Sequence, residues 1–286
     1  MNEPDPLANA PLAYENPDFL HSTDARTVRI LAEYLEPLAR FQQQRIKDTV
    51  VFFGSARFRQ EEHTGAPAQG TAMASYYEDA RTLAHMLTRW TKSLPGKQHR
   101  FVVTSGGGPG IMEAANRGAY EAGGKSIGLN ILLPHEKHPN RYITPELNFG
   151  FHYFFMRKFW FAYMAKALVI FPGGFGTMDE MFEIMTLAQT YKLARQIPVI
   201  IYSSEYWKSI LNFDLMVERG AISSSDLELL HFAETPEEAF SLLKASLDPT
   251  GQLADQPPPE EHAQSIPSEP LPPAQEILGP DLSKTR

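Results

Sequence analysis

The sequence predicts an α/β protein with an open, mostly parallel sheet and helices on both faces. Two stretches carry that expectation. Leu168–Met185 reads LVIFPGGFGTMDEMFEIM: a short apolar strand, a glycine turn, then Met178, Met181, Phe182 and Met185 at helical spacing. Phe101–Gly124 repeats the plan. Phe101–Thr104 is the strand, Gly106, Gly107, Gly108 and Gly110 form the turn, and an alanine-rich helix from Ile111 stops at Gly123 and Gly124. In such sheets ligands bind beyond the carboxyl ends of the strands.

The chain has 286 residues, a formal charge of −8 and no cysteine. One sizeable core with extensions fits that length better than two equal domains. The expected divisions are a flexible N-terminal arm over 1–20, a single domain over 21–248, and a proline-rich, disordered tail over 249–286. The acidic balance gives no general electrostatic case for binding a nucleic-acid polymer. No apolar run is long enough to span a bilayer, so no membrane partner is expected. The acidic, proline-containing N-terminus is unlike a secretory signal. Without cysteine there are no disulfides, no thiolate catalysis and no Cys-based zinc or iron–sulfur site. A cytoplasmic location is the expectation.

In chain order, Asp24–Arg45 carries Val28, Leu31, Leu35 and Leu38 at helical spacing, with Pro37 expected to bend or shorten the helix. Thr49–Phe53 is the first central strand. Gly54, Ser55, Ala56 and Arg57 follow as a tight turn from which Ser55 or Arg57 can reach a phosphate. Met73–Trp90 is a helix with Tyr76, Ala80, Leu83 and Leu87 on one face. Ser126–Ile131 is a strand, and much of Pro134–Leu147 a loop, where His135 and His138 lack metal partners. Phe154–Ala167 reads as a helix leading into a strand at Leu168–Phe171. Ile197–Tyr202 is the next strand, Trp207–Met216 and Ser223–Leu230 are helical, and Pro236–Leu247 is a last helix with Pro236 in its first turn.

The candidate chemistry sits in the turns. Gly173, Gly174 and Gly176 read as close-approach positions able to take positive φ, and the amides that open the next helix suit a phosphate. Thr177 is a candidate N-cap, and Glu180 three residues on completes a capping box with it. Glu180 has a second reading, with Asp179 beside it, as an acidic group facing the sugar end of a phosphorylated ligand. Against the phosphate itself a carboxylate is electrostatically costly. Glu113 either hydrogen-bonds ligand or suits the start of its helix. Arg157 offers a planar guanidinium to phosphate or sugar oxygens, or is a solvated helix charge. Phe154, Phe155, Trp160 and Phe161 line a base pocket or pack the core. The 105–110 turn lacks a GKS or GKT ending and the dinucleotide fingerprint, which argues against a P-loop.

Taken together, these motifs resemble the LONELY GUY-type, cytokinin-activating nucleotide phosphoribohydrolases, a family that also carries the older name lysine decarboxylase. Its PGGxGTxxE pattern is present as Pro172, Gly173, Gly174, Gly176, Thr177 and Glu180. SGGGPGIMEAANRGA matches its other nucleotide loop, and Arg157 and Lys158 form the RK pair on the preceding helix. The resemblance covers roughly Thr49 to Leu247. It implies a Rossmann-like fold and hydrolysis of a nucleoside 5′-monophosphate (AMP, CMP or a cytokinin riboside monophosphate) to free base and ribose 5-phosphate, without metal or redox cofactor. It implies Arg157 and Glu180 as catalytic residues. For substrate binding it implies Gly54, Ser55, Gly107, Gly108, Gly110, Glu113, Lys158, Gly173, Gly174, Gly176, Thr177 and Asp179. It further implies a homodimer or higher homo-oligomer, working in cytokinin activation or in nucleotide salvage. Asp179 departs from the glutamate common in the family beside the last motif glutamate. The competing readings are a non-catalytic nucleotide- or molybdenum-cofactor-binding carrier on a related fold, and a structural protein with remnant motifs. Intact Arg157 and Glu180 favour the enzyme over the carrier, and the two preserved glycine segments argue against the remnant. No persuasive pyridoxal-phosphate lysine site is apparent, so the older name is a poor guide to chemistry.

Overall fold

The computed structural model describes residues 12–58, 71–131, 138–190, 197–251 and 253. The expectations for His135, for residues 1–11 of the arm and for most of the tail fall outside them. The described strands are β1 (Thr49–Phe53), β2 (Val102–Ser105), β3 (Ser126–Ile131), β4 (Asn148–Phe151), β5 (Ala165–Ile170), β6 (Val199–Tyr202) and β7 (Leu230–Ala233). They form one sheet in the order β4-β3-β2-β1-β5-β6-β7, and every pair is parallel. The helices are α1 (Pro17–His21), α2 (Arg26–Gln43), α3 (Thr71–Ser93), α4 (Ile111–Glu121), α5 (Phe154–Met164), α6 (Phe175–Gln189), α7 (Ser204–Ile210), α8 (Phe213–Glu218) and α9 (Pro236–Leu247).

The central strands read as apolar runs because both faces of the sheet are covered. Val51, Phe53, Leu168 and Ile170 enter one core with Phe41 of α2, Trp160 of α5 and Met181 of α6. Val50, Phe52, Ala167 and Val169 enter the other with Leu83 of α3, Ala115 of α4 and Leu243 of α9. From β1 the chain steps outward through β2, β3 and β4, then returns to place β5 on the other side of β1. The order therefore reverses between β1 and β5, and the crevice beyond their carboxyl ends is the expected ligand position.

Several boundaries differ from the sequence expectation. α5 stops at Met164, and β5 begins at Ala165 because Ala165 and Ala167 pair with Thr49 and Val50 of β1. Sheet pairing overrides the helical preference of an alanine- and lysine-containing segment. β4 has the sequence NFGF, with only Phe149 and Phe151 buried, and β7 is equally short; both are edge strands with little local signal. α2 runs on through Pro37, which is buried within it rather than shortening it. The helix expected across Trp207–Met216 is divided into α7 and α8, and the Ser223–Leu230 segment is a 3-10 helix over Ser224–Leu229.

A buried acid fixes the start of β2. Asp48, 1% exposed, accepts from the Phe101 amide at 2.5 Å and from Arg100 Nε and Nη2 at 3.1 and 2.9 Å. Phe101 itself takes a left-handed φ of 52°, which the amide–carboxylate bond helps to hold. Asp48→Ala leaves a buried amide unsatisfied and is expected to cost about 3 kcal/mol, read as the shift in a urea unfolding midpoint.

Candidate active site

Three turns meet at the reversal point. Phe171 N–H donates to the Phe53 carbonyl at 2.8 Å, and Ser55 N–H to the Pro172 carbonyl at 3.0 Å. The Ser55 carbonyl in turn accepts from Ile111 N–H, the first residue of α4, at 3.1 Å. The β1, β2 and β5 turns are thus joined through backbone bonds. Gly54 packs its Cα directly against the Ile111 side chain, leaving no room for a Cβ. The Ser55 hydroxyl accepts from Arg57 N–H at 3.1 Å, an arrangement internal to its own turn.

The 105–110 turn is pinned from beneath. Ser105 Oγ donates to Asn116 Oδ1 at 2.6 Å and accepts from Gly107 N–H at 3.1 Å. Asn116 is fully buried and donates to the Ile127 carbonyl of β3. Asn140, from the segment before β4, donates its Nδ2 to the Gly107 and Gly108 carbonyls, both at 3.1 Å, and to Asn116 Oδ1 at 2.9 Å. Gly107 and Gly110 take φ of 76° and 71°. A Cβ on Gly110 would meet the backbone of Ser55 and Ala56, so glycine is needed there for both conformation and space. Asn116 and Asn140 were not singled out from sequence; isolated asparagines carry no signal until the fold brings them together.

The PGG turn is built differently from the sequence expectation. α6 begins at Phe175 with Gly174 as N-cap, and no side chain caps it. Thr177 lies inside the first turn, so the proposed capping box with Glu180 is not formed. Thr177 is instead buried against Gly173, where a Cβ would collide with its side chain. Gly173, Gly174 and Gly176 are not among the positive-φ residues. Open space lies where Cβ atoms of Gly174 and Gly176 would stand, so these two glycines keep a surface clear. The amides of Phe175 and Gly176 open α6 and have no acceptor within the helix. With the start of α4 this puts two helix N-termini at the crevice, each suited to an anion. Tyr206 of α7 supports the turn by donating its hydroxyl to the Gly173 carbonyl at 2.9 Å.

Arg157 and Glu180 are the two remaining candidates. Arg157 on α5 donates Nε to the Leu129 carbonyl of β3 at 2.7 Å and lies over the Phe161 ring. A Cβ on Gly106 would fall 2.5 Å from its guanidinium, which places that group against the glycine turn. Lys158, the next residue, gathers the acids of α6: its Nζ is 2.8 Å from Asp179, 2.6 Å from Glu183 and 3.7 Å from Glu180. Asp179 is exposed, whereas Glu180 is buried. Burial raises the Glu180 carboxyl to about 7; Lys158 and Arg157 pull it down, and Glu183 and Asp179 push it up. Glu180 is therefore ready to hold or release a proton near neutrality.

Other candidates are placed elsewhere. Glu113 accepts from the Tyr77 hydroxyl of α3 at 3.1 Å, a contact between helices. Trp160 and Phe161 are core residues, with Trp160 Nε1 donating to the Glu33 carbonyl, while Phe154 and Phe155 remain half exposed. Phe175, unremarked from sequence, is 91% exposed on the turn itself. Among the described residues no three His, Cys, Asp or Glu side chains are grouped to hold a metal, and no helix is long and apolar enough to cross a membrane.

A parallel sheet that reverses between β1 and β5, with helices on both faces, defines a Rossmann-like α/β protein. The family model described as "Possible lysine decarboxylase" matches residues 112–243. A rice (Oryza sativa subsp. japonica) protein, named a probable cytokinin riboside 5′-monophosphate phosphoribohydrolase, is 28% identical over 214 residues, 71% of this chain and 86% of that protein. A second rice protein of the same name is 29% identical over 147 residues, 50% of this chain and 57% of its own length. A cytokinin riboside 5′-monophosphate phosphoribohydrolase of Arabidopsis thaliana is 28% identical over 146 residues, 50% of this chain and 66% of its own. In the last two the match spans less than two thirds of the relative. The stretch matched by the family model, residues 112–243, contains Arg157, the PGG turn and Glu180. Among solved structures, the chain is similar to the molybdenum cofactor carrier protein of Chlamydomonas reinhardtii, at 19% identity and TM-score 0.44, over 70% of this chain and 98% of that one.

Proposed function

We propose that this site hydrolyses the N-glycosidic bond of a nucleoside 5′-monophosphate, releasing free base and ribose 5-phosphate. The observation that carries the reading is Glu180, a buried carboxyl balanced near pH 7 beside Arg157 at the sheet reversal. The names of the relatives, cytokinin riboside 5′-monophosphate phosphoribohydrolases, support it.

The chemistry follows from charge. The helix-opening amides of α4 and α6 take the 5′-phosphate. Arg157 takes phosphate or ribose oxygens and steadies charge that grows in the transition state. As the C1′–N bond breaks, its electron pair leaves with the base nitrogen and the ribose gains oxocarbenium character. Ionised Glu180 faces that positive centre and accepts a proton from the attacking water, whose oxygen bonds to C1′. The departing base takes up a proton, so one water is consumed per bond cleaved. Asp179, Glu183 and Lys158 set the field around Glu180 and need not touch substrate.

The test is a product-resolved assay over AMP, CMP, GMP, UMP and isopentenyl-modified AMP. Base and ribose 5-phosphate should appear together from at least one of them, and the ranking identifies the base that the site prefers. Binding across the panel with no base released would support a carrier instead. Asn140→Ala should raise KM about tenfold by loosening the Gly107–Gly108 carbonyls, and cost about 1–2 kcal/mol of stability; steady-state kinetics and urea unfolding report the two effects separately.

A further inference from the structure

A second cleft opens at the other end of the strands, with a volume of about 710 Å³. Its walls are the loop between α3 and β2, the link between α4 and β3, and residues 141–145. Lys92, Lys97, Arg100, Lys125 and Arg141 line it, and none of its lining residues is Asp or Glu. On a chain of formal charge −8 this is a local reversal of sign.

Most of this charge is not neutralised by an ion pair. Arg100 is paired with Asp48. Lys92 donates to the Ala122 and Gly123 carbonyls, Lys125 to Gln44, and Arg141 to the Tyr142 hydroxyl, all of them uncharged acceptors. Lys97 has no partner among the described residues. Glu121, which lines a neighbouring pocket with Lys92, is already held by Arg81 and Arg117. His99, also on the wall, is kept below the usual histidine range first by burial and then by the charges of Lys125 and Arg45.

We propose that this cleft is a second binding site, distinct from the nucleotide-cleaving one, for a small anion bearing two or more linked phosphates. Lys97, Lys125 and Arg141 supply the charge-assisted contacts. The volume lies in the range of small-molecule sites and far exceeds what a single phosphate fills. Three cations from three different segments of the wall also match a chain of phosphates better than one tetrahedral group.

The experiment is a titration of the isotopically labelled full chain with inorganic tripolyphosphate at low salt, following the His99 ring resonances. A saturable shift is expected in the wild type, with orthophosphate binding more weakly. In the Lys125→Ala, Arg141→Ala double variant the affinity should fall at least about tenfold, with base release from a nucleoside monophosphate retained. Should that variant not fold, Lys97→Ala, which removes only an unpartnered ammonium, should weaken binding several-fold. The proposal is overturned by an unresponsive His99, by orthophosphate binding as tightly as tripolyphosphate, or by unchanged affinity in the folded variants. These outcomes are independent of base release, so the two sites are tested separately.

Discussion

Glu180→Gln is expected to lower turnover of a nucleoside monophosphate by about 10²–10⁴-fold and, at the same time, to stabilise the fold at alkaline pH. Both effects come from one carboxyl. Its folded-state value is raised from 4.5 to about 7. Its favourable contribution is therefore complete below pH 4.5 and is lost as the pH rises through 7, where the buried acid is forced to ionise. Above that, the ionised group costs about 3 kcal/mol. The neutral amide avoids this cost. Urea unfolding at pH 8 should show Glu180→Gln more stable than the wild type, with the difference shrinking toward pH 4.5. In wild-type kinetics, kcat/KM should rise through about pH 7 as the carboxylate forms, and that limb should vanish in the variant. A loss of turnover with no gain in alkaline stability would mean that Glu180 is not the strained acid described.

Arg157→Ala is expected to reduce kcat by about 10²–10³-fold, with a smaller effect on KM. The guanidinium is held by the Leu129 carbonyl and stands against Gly106, so its position is set before any ligand arrives. Its charge also lowers the Glu180 carboxyl. The variant should therefore move the ascending limb of the pH profile above 7 in whatever activity remains. This shift separates an electrostatic role from a merely structural one, since loosening of the fold alone gives no reason for Glu180 to titrate higher. Arg157→Lys should restore the position of the limb better than it restores kcat, because a lysine supplies charge without the fork that reaches two oxygens.

The sheet and the two glycine turns were legible in the sequence because buried parallel strands are continuous apolar runs and their turns concentrate glycine. Thr49–Phe53, Ser126–Ile131 and Pro236–Leu247 have the boundaries their patterns suggest. The edge strand β4 is only four residues, Phe149 and Phe151 alternating with Asn148 and Gly150, and so short a run does not mark a strand locally. Motif spacing placed Thr177 and Glu180 three residues apart and so suggested a cap. The helix start two residues earlier, at Phe175, removes that role and leaves Glu180 buried beside Lys158 instead. The roles of Asn116, Asn140 and Tyr206 rest on contacts between segments far apart in the chain, which no single stretch of sequence contains.

The most direct measurement quantifies free base and ribose 5-phosphate released from the panel's preferred nucleoside monophosphate by the wild-type chain, with Glu180→Gln run alongside. Equimolar appearance of both products with the wild type, and their near absence with the folded variant, is the predicted result. Recovery of the nucleotide intact from wild-type protein that binds it, or equal release by both proteins, would contradict the assignment of this site as a nucleotide N-glycosidase acting through Glu180.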